Sequence, residues 1–267
     1  MTAASPPPIE RAAALIAASR HVIALVGAGI SVESGIPPFR GPGGLWTRGG
    51  EPGNDQWQRF LQDPTAWWRQ MQSGPRAGRA SASNWEAAKP NPAHNALAEL
   101  EAMGVLKHVV TQNIDNLHQV AGTQSITEFH GNRYKLRCIQ CHTRFEREAF
   151  ELSPEAPPAC PRCGGVVKSD TVMFGEPIPP YAIERAFAEA RTADCILIVG
   201  TSAVVYPAAE LPYHVRRNGG SLIEVNPMET PLSDICDVVL RAPAGEVMPA
   251  LVEAVRRARR SAADTPG

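Results

Sequence analysis

Two Cys-x-x-Cys pairs, Cys138/Cys141 and Cys160/Cys163, stand eighteen residues apart near the middle of a 267-residue chain, and no other feature restricts the fold so sharply. Four thiols in two tight turns at this spacing match a tetrahedral thiolate zinc site whose ligands come from two knuckles. Such a shell leaves no position for water, so the Zn2+ it holds is structural and stabilises a module too small to fold without it. Residues 138–142 also spell Cys-x-x-Cys-His, a haem-attachment pattern. The second pair nearby, the lack of an export signal and the lack of an axial-methionine context argue against haem. Cys195 in DCILIVG and Cys236 in DICDVV lie in apolar, strand-like runs and read as inert core thiols, because apolar burial raises a thiol's pKa.

Around this module, apolar runs alternate with helical patterns. HVIALV, VLKHVVTQN, CILIVGTS, GSLIEVN and DVVLRAP read as buried parallel strands. IERAAALIAAS, NPAHNALAELEAMG with Gly104 as C-cap, IERAFAEARTA and AGEVMPALVEAVRRARR read as helices between them. The expected fold class is therefore α/β: a Rossmann-like parallel sheet covered by helices, with a smaller zinc-binding domain formed by two insertions. Residues 1–40, 90–132 and 171–260 would build the large domain. Residues 41–89, rich in Gly, Pro, Trp and Gln, and 133–170, with the cysteines, would build the small one, leaving 261–267 as a flexible tail. An apolar content of 43% suffices for an ordinary core, and 26 basic against 27 acidic residues give no charge argument for nucleic acid or an anionic membrane. The N-terminus has no basic segment ahead of an unbroken apolar stretch, and the expectation is a soluble cytoplasmic protein with no membrane association.

Three stretches carry candidate chemistry. GAGISVES follows a strand, so Gly27 and Gly29 could let backbone N–H groups approach a pyrophosphate where a helix starts. The third glycine of the dinucleotide fingerprint is replaced by Val32, and its acidic partner would be Glu51, in a turn-rich segment. On this loop alone a structural turn and a nucleotide site both stay open. TQNIDNLH puts Gln112, Asn113 and Asp115 at the carboxyl end of a strand, where ligands gather in open α/β sheets, although any one of them could serve as a cap or turn residue. His118 reads as a packing residue or a support for that site. His130, in EFHGN, stands at the seam between the domains and titrates near neutrality, which suits a general base; the plain alternative is a satisfied buried histidine. The histidines at 21, 94, 108, 142 and 214 receive that plain reading.

Taken in order, GAGISVESGIPPFRG, TQNIDNLH, FHG, the paired Cys-x-x-Cys motifs, SDTVMFGE, GTSAVVYPA and Asn226 after SLIEV resemble the sirtuin family of NAD-dependent protein deacylases, over about Val22 to Val247. The resemblance implies that NAD is consumed as a co-substrate. Its phosphates and ribose would be held by Gly27, Ala28, Gly29, Ile30, Ser31, Gly35, Ile36, Phe39, Arg40 and Trp46, with Gly200, Thr201 and Ser202 completing the cradle. Asn226, Pro227, Met228 and Ala244 would border the adenosine half, and Gln112, Asn113, Ile114 and Asp115 would line the nicotinamide pocket. His130, with Asn113 and Asp115, would be catalytic. Acyl-lysine protein substrates would lie between Phe174, Gly175 and Glu176 on one side and Val204 and Val205 on the other, pairing through the main chain with little sequence demand.

Desuccinylases of the family carry a Tyr-x-x-Arg pair, and alignment puts Met71 and Gly74 at those positions. Neither can neutralise a carboxylate, so a neutral acyl group is expected, acetyl first and a longer aliphatic chain second. Lys168 and Ser169 precede Asp170 where many relatives have Arg-Pro. Two other classes compete: an ADP-ribosyltransferase or NAD glycohydrolase without a peptide groove, against which FGE and GTSAVV stand, and a non-catalytic NAD or ADP-ribose sensor, against which His130 stands.

Overall fold

The computed structural model describes residues 6–73, 85–153 and 155–263. Six parallel strands form the main sheet in the order β3-β2-β1-β7-β8-β9. The central ones, β1 (Val22–Val26) and β7 (Cys195–Val199), are buried along their whole length, as continuous apolar runs covered on both faces must be. They are flanked by β2 (Leu106–Thr111) with β3 (Ile126–Glu128) and by β8 (Ser221–Val225) with β9 (Val238–Leu240). The order reverses between β1 and β7, which opens a crevice at their carboxyl ends.

Helices Pro8–Ala18, Pro92–Ala102 and Ala244–Ala263 cover one face, packing Ile16, Leu97 and Leu251 into one core. Helices Pro180–Thr192 and Leu211–Arg217 cover the other, with Ala186 and Val215 in the second core. The start of Pro92–Ala102 follows from its sequence. Asn91 accepts from the Ala93 N–H at 2.9 Å, Pro92 fills the first turn, and the His94 ring accepts from the Asn91 N–H at 3.4 Å. The last helix runs through Ala263, so residues 261–263 of the expected tail are helical; 264–267 lie outside the described residues. Among the described residues no helix is long and apolar enough to cross a membrane.

A second, antiparallel sheet, β5-β4-β6, is built from β4 (Lys135–Cys138), β5 (Arg144–Glu146) and β6 (Val167–Ser169). Its core of buried residues is Leu136, Cys138, Cys160 and Val167, with Phe145, Phe150 and Leu152 packed alongside. That is little apolar burial to hold a module together. The helix Pro64–Ser73 reaches it through Trp68 Nε1, which donates to the Ser153 carbonyl at 2.8 Å, and Arg69 Nε, which donates to Glu155 O at 2.9 Å.

The two sheets meet at Asp170, whose carboxylate is wholly buried. It accepts from Arg137 Nε of β4 at 2.9 Å, from Arg144 Nε of β5 at 3.0 Å and from the Asn132 N–H at 2.9 Å. Gly131, between His130 and Asn132, has φ +76, and a Cβ there would lie 2.1 Å from the Asp170 carbonyl oxygen. Only glycine fits that backbone and that contact. Gly131→Ala is expected to destabilise the fold by on the order of 3 kcal/mol, combining left-handed strain with overpacking. Chemical denaturation that gives a loss below about 1 kcal/mol would contradict this account of the joint.

Candidate active site and metal centre

A cleft of about 2000 Å3 runs along the carboxyl ends of β1, β2, β7 and β8 and continues between the two sheets. Its floor is set by contact between two turns. Gly27 N–H donates to Val199 O at 3.0 Å and Gly29 N–H to Gly200 O at 2.7 Å, while a Cβ on Gly27 or Gly29 would come within 2.8 Å of the Gly200 backbone. The glycines therefore let the β1 and β7 turns touch, and these two N–H groups point into the protein instead of toward a ligand. The segment after them, Ala28–Ser34, is a 3-10 helix and not the α-helix onset the sequence suggests.

At the end of β2, Gln112 Nε2 donates to Thr201 Oγ1 at 3.0 Å, joining it to the β7 turn. Asn113 Nδ2 donates to Gly27 O at 3.1 Å and Ser31 Oγ at 3.2 Å, and Ser31 Oγ donates to Asp115 Oδ2 at 2.7 Å. Burial raises the pKa of Asp115, opposed by the Ser31 hydrogen bond. His94, which sequence reading placed in the core, lies behind this group with Nε2 3.5 Å from Ser31 Oγ. Its pKa is lowered to about 4 by burial, so the ring is neutral. His118 stacks edgewise on His94, with ring centroids 4.9 Å apart. Both its ring nitrogens and Nδ1 of His142 are buried without a hydrogen-bond partner among the described residues: His118 packs behind the site, and His142 departs from the satisfied histidine that the sequence suggests.

His130 lines the cleft, and its Nδ1 sits 3.0 Å from the Gln112 carbonyl. A carbonyl oxygen only accepts, so Nδ1 carries the hydrogen and Nε2 is the basic nitrogen. Burial lowers the pKa of His130 in spite of that hydrogen bond, leaving the ring neutral and ready to take a proton at pH 7.

Phe39, Trp46 and Phe174 form an aromatic row along the cleft, with centroid spacings of 4.7 and 5.4 Å. Arg40 stacks on Trp46 and pairs with Glu51, so Glu51 serves as an ion-pair partner beside the cleft. Asn226 Nδ2 donates to Thr201 O at 2.8 Å, bracing the β7 and β8 turns against each other. Ala28, Ile36, Ile114, Ser202, Pro227, Met228 and Ala244 line the cleft, as do Gly175, Glu176, Val204 and Val205. Ile30 and Gly35 do not: Ile30 is fully buried in the core, and Gly35, at φ +87, ends the 3-10 helix. Met71 is a lining residue, whereas Gly74 lies outside the described residues. Trp67 and Tyr134, which no motif marks, also line it, as does Lys168, which the sequence marks only as a departure from Arg-Pro.

The Sγ atoms of Cys138, Cys141, Cys160 and Cys163 all lie within 4.8 Å of one another, with Cys138–Cys163 at 3.5 Å and Cys141–Cys160 at 3.7 Å. A tetrahedron with Zn–S bonds of about 2.3 Å has edges of about 3.8 Å, so the four thiolates fit zinc. Cys195 and Cys236 stand apart, their thiols pushed up to about 12 by burial.

The sequence profile of the Sir2 family matches residues 27–207. A protein of Thermococcus kodakarensis named NAD-dependent protein deacylase is 46% identical over 253 residues, covering 93% of this chain and 96% of that one. The crystal structure of a Sir2 homologue–NAD complex matches with a TM-score of 0.75 at 43% identity, over 94% of each chain. A Sir2 protein bound to a myristoylated histone peptide matches at 0.65 and 38% identity, over 95% of this chain and 98% of that one.

Cys160→Ser is expected to abolish zinc binding by metal analysis. The melting temperature should fall by roughly 5–10 °C, the shift a loss of about 3 kcal/mol makes at this size. Full zinc occupancy with an unchanged melting temperature would refute the four-thiolate assignment.

Proposed function

The chain belongs to the Sir2 family, and from that premise we infer its activity: it is an NAD-dependent protein lysine deacylase. The observation that carries the mechanism is His130, held as the Nδ1–H tautomer by the Gln112 carbonyl in the wall of a cleft. That cleft lies at a topological switch point and exceeds the 300–1,000 Å3 of ordinary small-molecule sites, which suits a dinucleotide and a peptide together.

When bound, NAD supplies an electrophilic ribose carbon and nicotinamide as leaving group. In our reading Thr201 and Ser202, with Phe39, Arg40 and Trp46, hold the phosphates and ribose, and Asn226 with Met228 borders the adenosine. Gln112, Asn113 and Asp115 shape the nicotinamide pocket; their side chains are fixed by Thr201, Gly27 and Ser31, so the pocket is rigid before anything enters it. Nε2 of His130 takes a proton from a ribose hydroxyl, allowing the acyl group to pass from lysine to ADP-ribose. One water is consumed, and the products are free lysine, nicotinamide and O-acyl-ADP-ribose. The same proposal includes the two-domain division at 41–89 and 133–170, and a cytoplasmic location, where a reducing environment keeps the four zinc thiols from forming disulfides.

For the acyl group we propose a neutral chain, acetyl before longer aliphatic. Met71 is an apolar lining residue where an acidic acyl group would need a cation. Mass spectrometry of one peptide carrying acetyl, myristoyl or succinyl lysine, with NAD, tests both claims. Acyl-ADP-ribose should form fastest from the acetyl peptide, and His130→Ala should lower turnover at least about 100-fold, the usual contribution of general-base catalysis. Nicotinamide release without acyl transfer would point to a glycohydrolase, and no NAD turnover to a sensor. Faster removal of succinyl than acetyl would overturn the acyl assignment.

The pH profile gives an independent check. His130 works as its neutral form, and burial moves its pKa below the ordinary 6.5. The acid limb of kcat/KM should accordingly fall off with a midpoint below pH 6.5, activity being lost as the ring gains its proton. A midpoint above 7 would contradict the burial argument.

A further inference from the structure

After β6 the chain passes through Asp170 into Thr171–Glu176, which forms one wall of the cleft. Lys168, on β6, is 1% exposed. Its Nζ donates to the Ser169 carbonyl at 2.9 Å and the Thr171 carbonyl at 2.8 Å, and lies 2.9 Å from Glu176 Oε2. Three N–H bonds thus meet three acceptors, which is the full capacity of an ammonium. Burial pulls its pKa down to about 8 against the pull of Glu176, so it is charged at neutral pH.

The acceptors span the wall. Ser169 and Thr171 stand at its beginning and Glu176 at its end, so one side chain closes the segment into a loop. Glu176 in turn accepts from Arg137 Nη2 and from the Met173 N–H, each at 2.8 Å. Between these ends, the Val172 N–H donates to His130 O and Phe174 O accepts from the Trp57 N–H, both at 3.0 Å. Every polar contact named for Lys168 lies within 169–176, and none reaches Gln112, Asn113 or Thr201.

We propose that Lys168 is a positioning residue for the acyl-peptide, fixing the height and orientation of the wall formed by Thr171–Glu176. The inference rests on the reading of Phe174–Glu176 as a peptide-binding edge. Strand addition needs the edge's N–H and C=O groups preset, because each mobile residue adds an ordering cost to binding. Without the ammonium, two carbonyls lose a partner and Glu176 is left with fewer donors in a buried site. Arginine at this position would keep both charge and donors; methionine would keep only the bulk.

The test is steady-state deacetylation by the zinc-loaded full chain, with acetyl-peptide and NAD varied separately. Lys168→Met should raise the peptide KM about tenfold, with kcat and the NAD KM within about threefold of wild type, and Lys168→Arg should return the peptide KM to within about threefold. An unchanged peptide KM in Lys168→Met overturns the proposal. So does a joint change in kcat and both KM values that Lys168→Arg fails to rescue, since that is the mark of general destabilisation. If Lys168→Met does not fold, Lys168→Gln, which still donates hydrogen bonds but carries no charge, is read by the same criteria. Val204→Lys, on the opposite wall, tests the underlying reading by itself: an unchanged peptide KM there removes the groove assignment. A raised value there with no effect at Lys168 removes only the positioning role.

Discussion

The rest of the structure depends on how the Asp170 carboxylate is paired. A wholly buried carboxylate is stable only if donors replace the water it has lost, and here they come from three separate pieces of chain. Arg137 precedes a zinc ligand on β4, Arg144 lies on β5, and Asn132 follows His130 by two residues. Arg144 and Asn132 also reach Glu128 at the end of β3, so the edge of the main sheet and the small sheet share one charge network. Loss of either arginine would leave the buried carboxylates short of a charge partner, so His130 and the four-thiol module are held in one fixed relation.

A second constraint is steric. The β1 and β7 turns meet through Gly27, Gly29 and Gly200, with no space for a side chain between them. That contact brings Thr201 to Gln112 and Gly27 to Asn113, converting the ends of β1, β2 and β7 into one polar floor. Burial then sets protonation: His94 and His130 are kept neutral and Asp115 is biased toward its acid form. A site of neutral bases and fixed amides suits a reaction in which a cationic ring leaves as a neutral molecule and the positive charge stays behind on the sugar carbon.

Much of this was legible in the sequence wherever the signal is local. The cysteine spacing needs only two tight turns, and the five apolar runs correspond to β1, β2, β7, β8 and β9 because strands covered on both faces are largely apolar. β3 escaped notice because Ile126–Glu128 carries a single apolar residue, whereas β9, equally short, is apolar throughout. The Asp170 network was equally hidden: its arginines lie 26 and 33 residues away, and nothing in either neighbourhood marks them as partners. Within the site, GAGIS does mark a close approach of backbone and its two glycines line the cleft, but their N–H groups are taken up by the β7 turn. Gly27 and Gly29 face another turn of the chain, and Ile30 faces the core.

Lys168 shows how such non-local pairing bears on function. Read in sequence, Lys-Ser-Asp is a departure from a familiar motif and nothing more. In the fold the two charges take different partners: Asp170 pairs with Arg137 and Arg144 of the small sheet, while the Lys168 ammonium bonds to the cleft wall, and Glu176 connects the two through Arg137. Arg137, beside Cys138 in the sheet that carries the four thiols, touches both Asp170 and Glu176. On the proposed reading, a metal site with no open coordination position would bear on the reaction through geometry alone, by fixing where Phe174–Glu176 stands relative to His130.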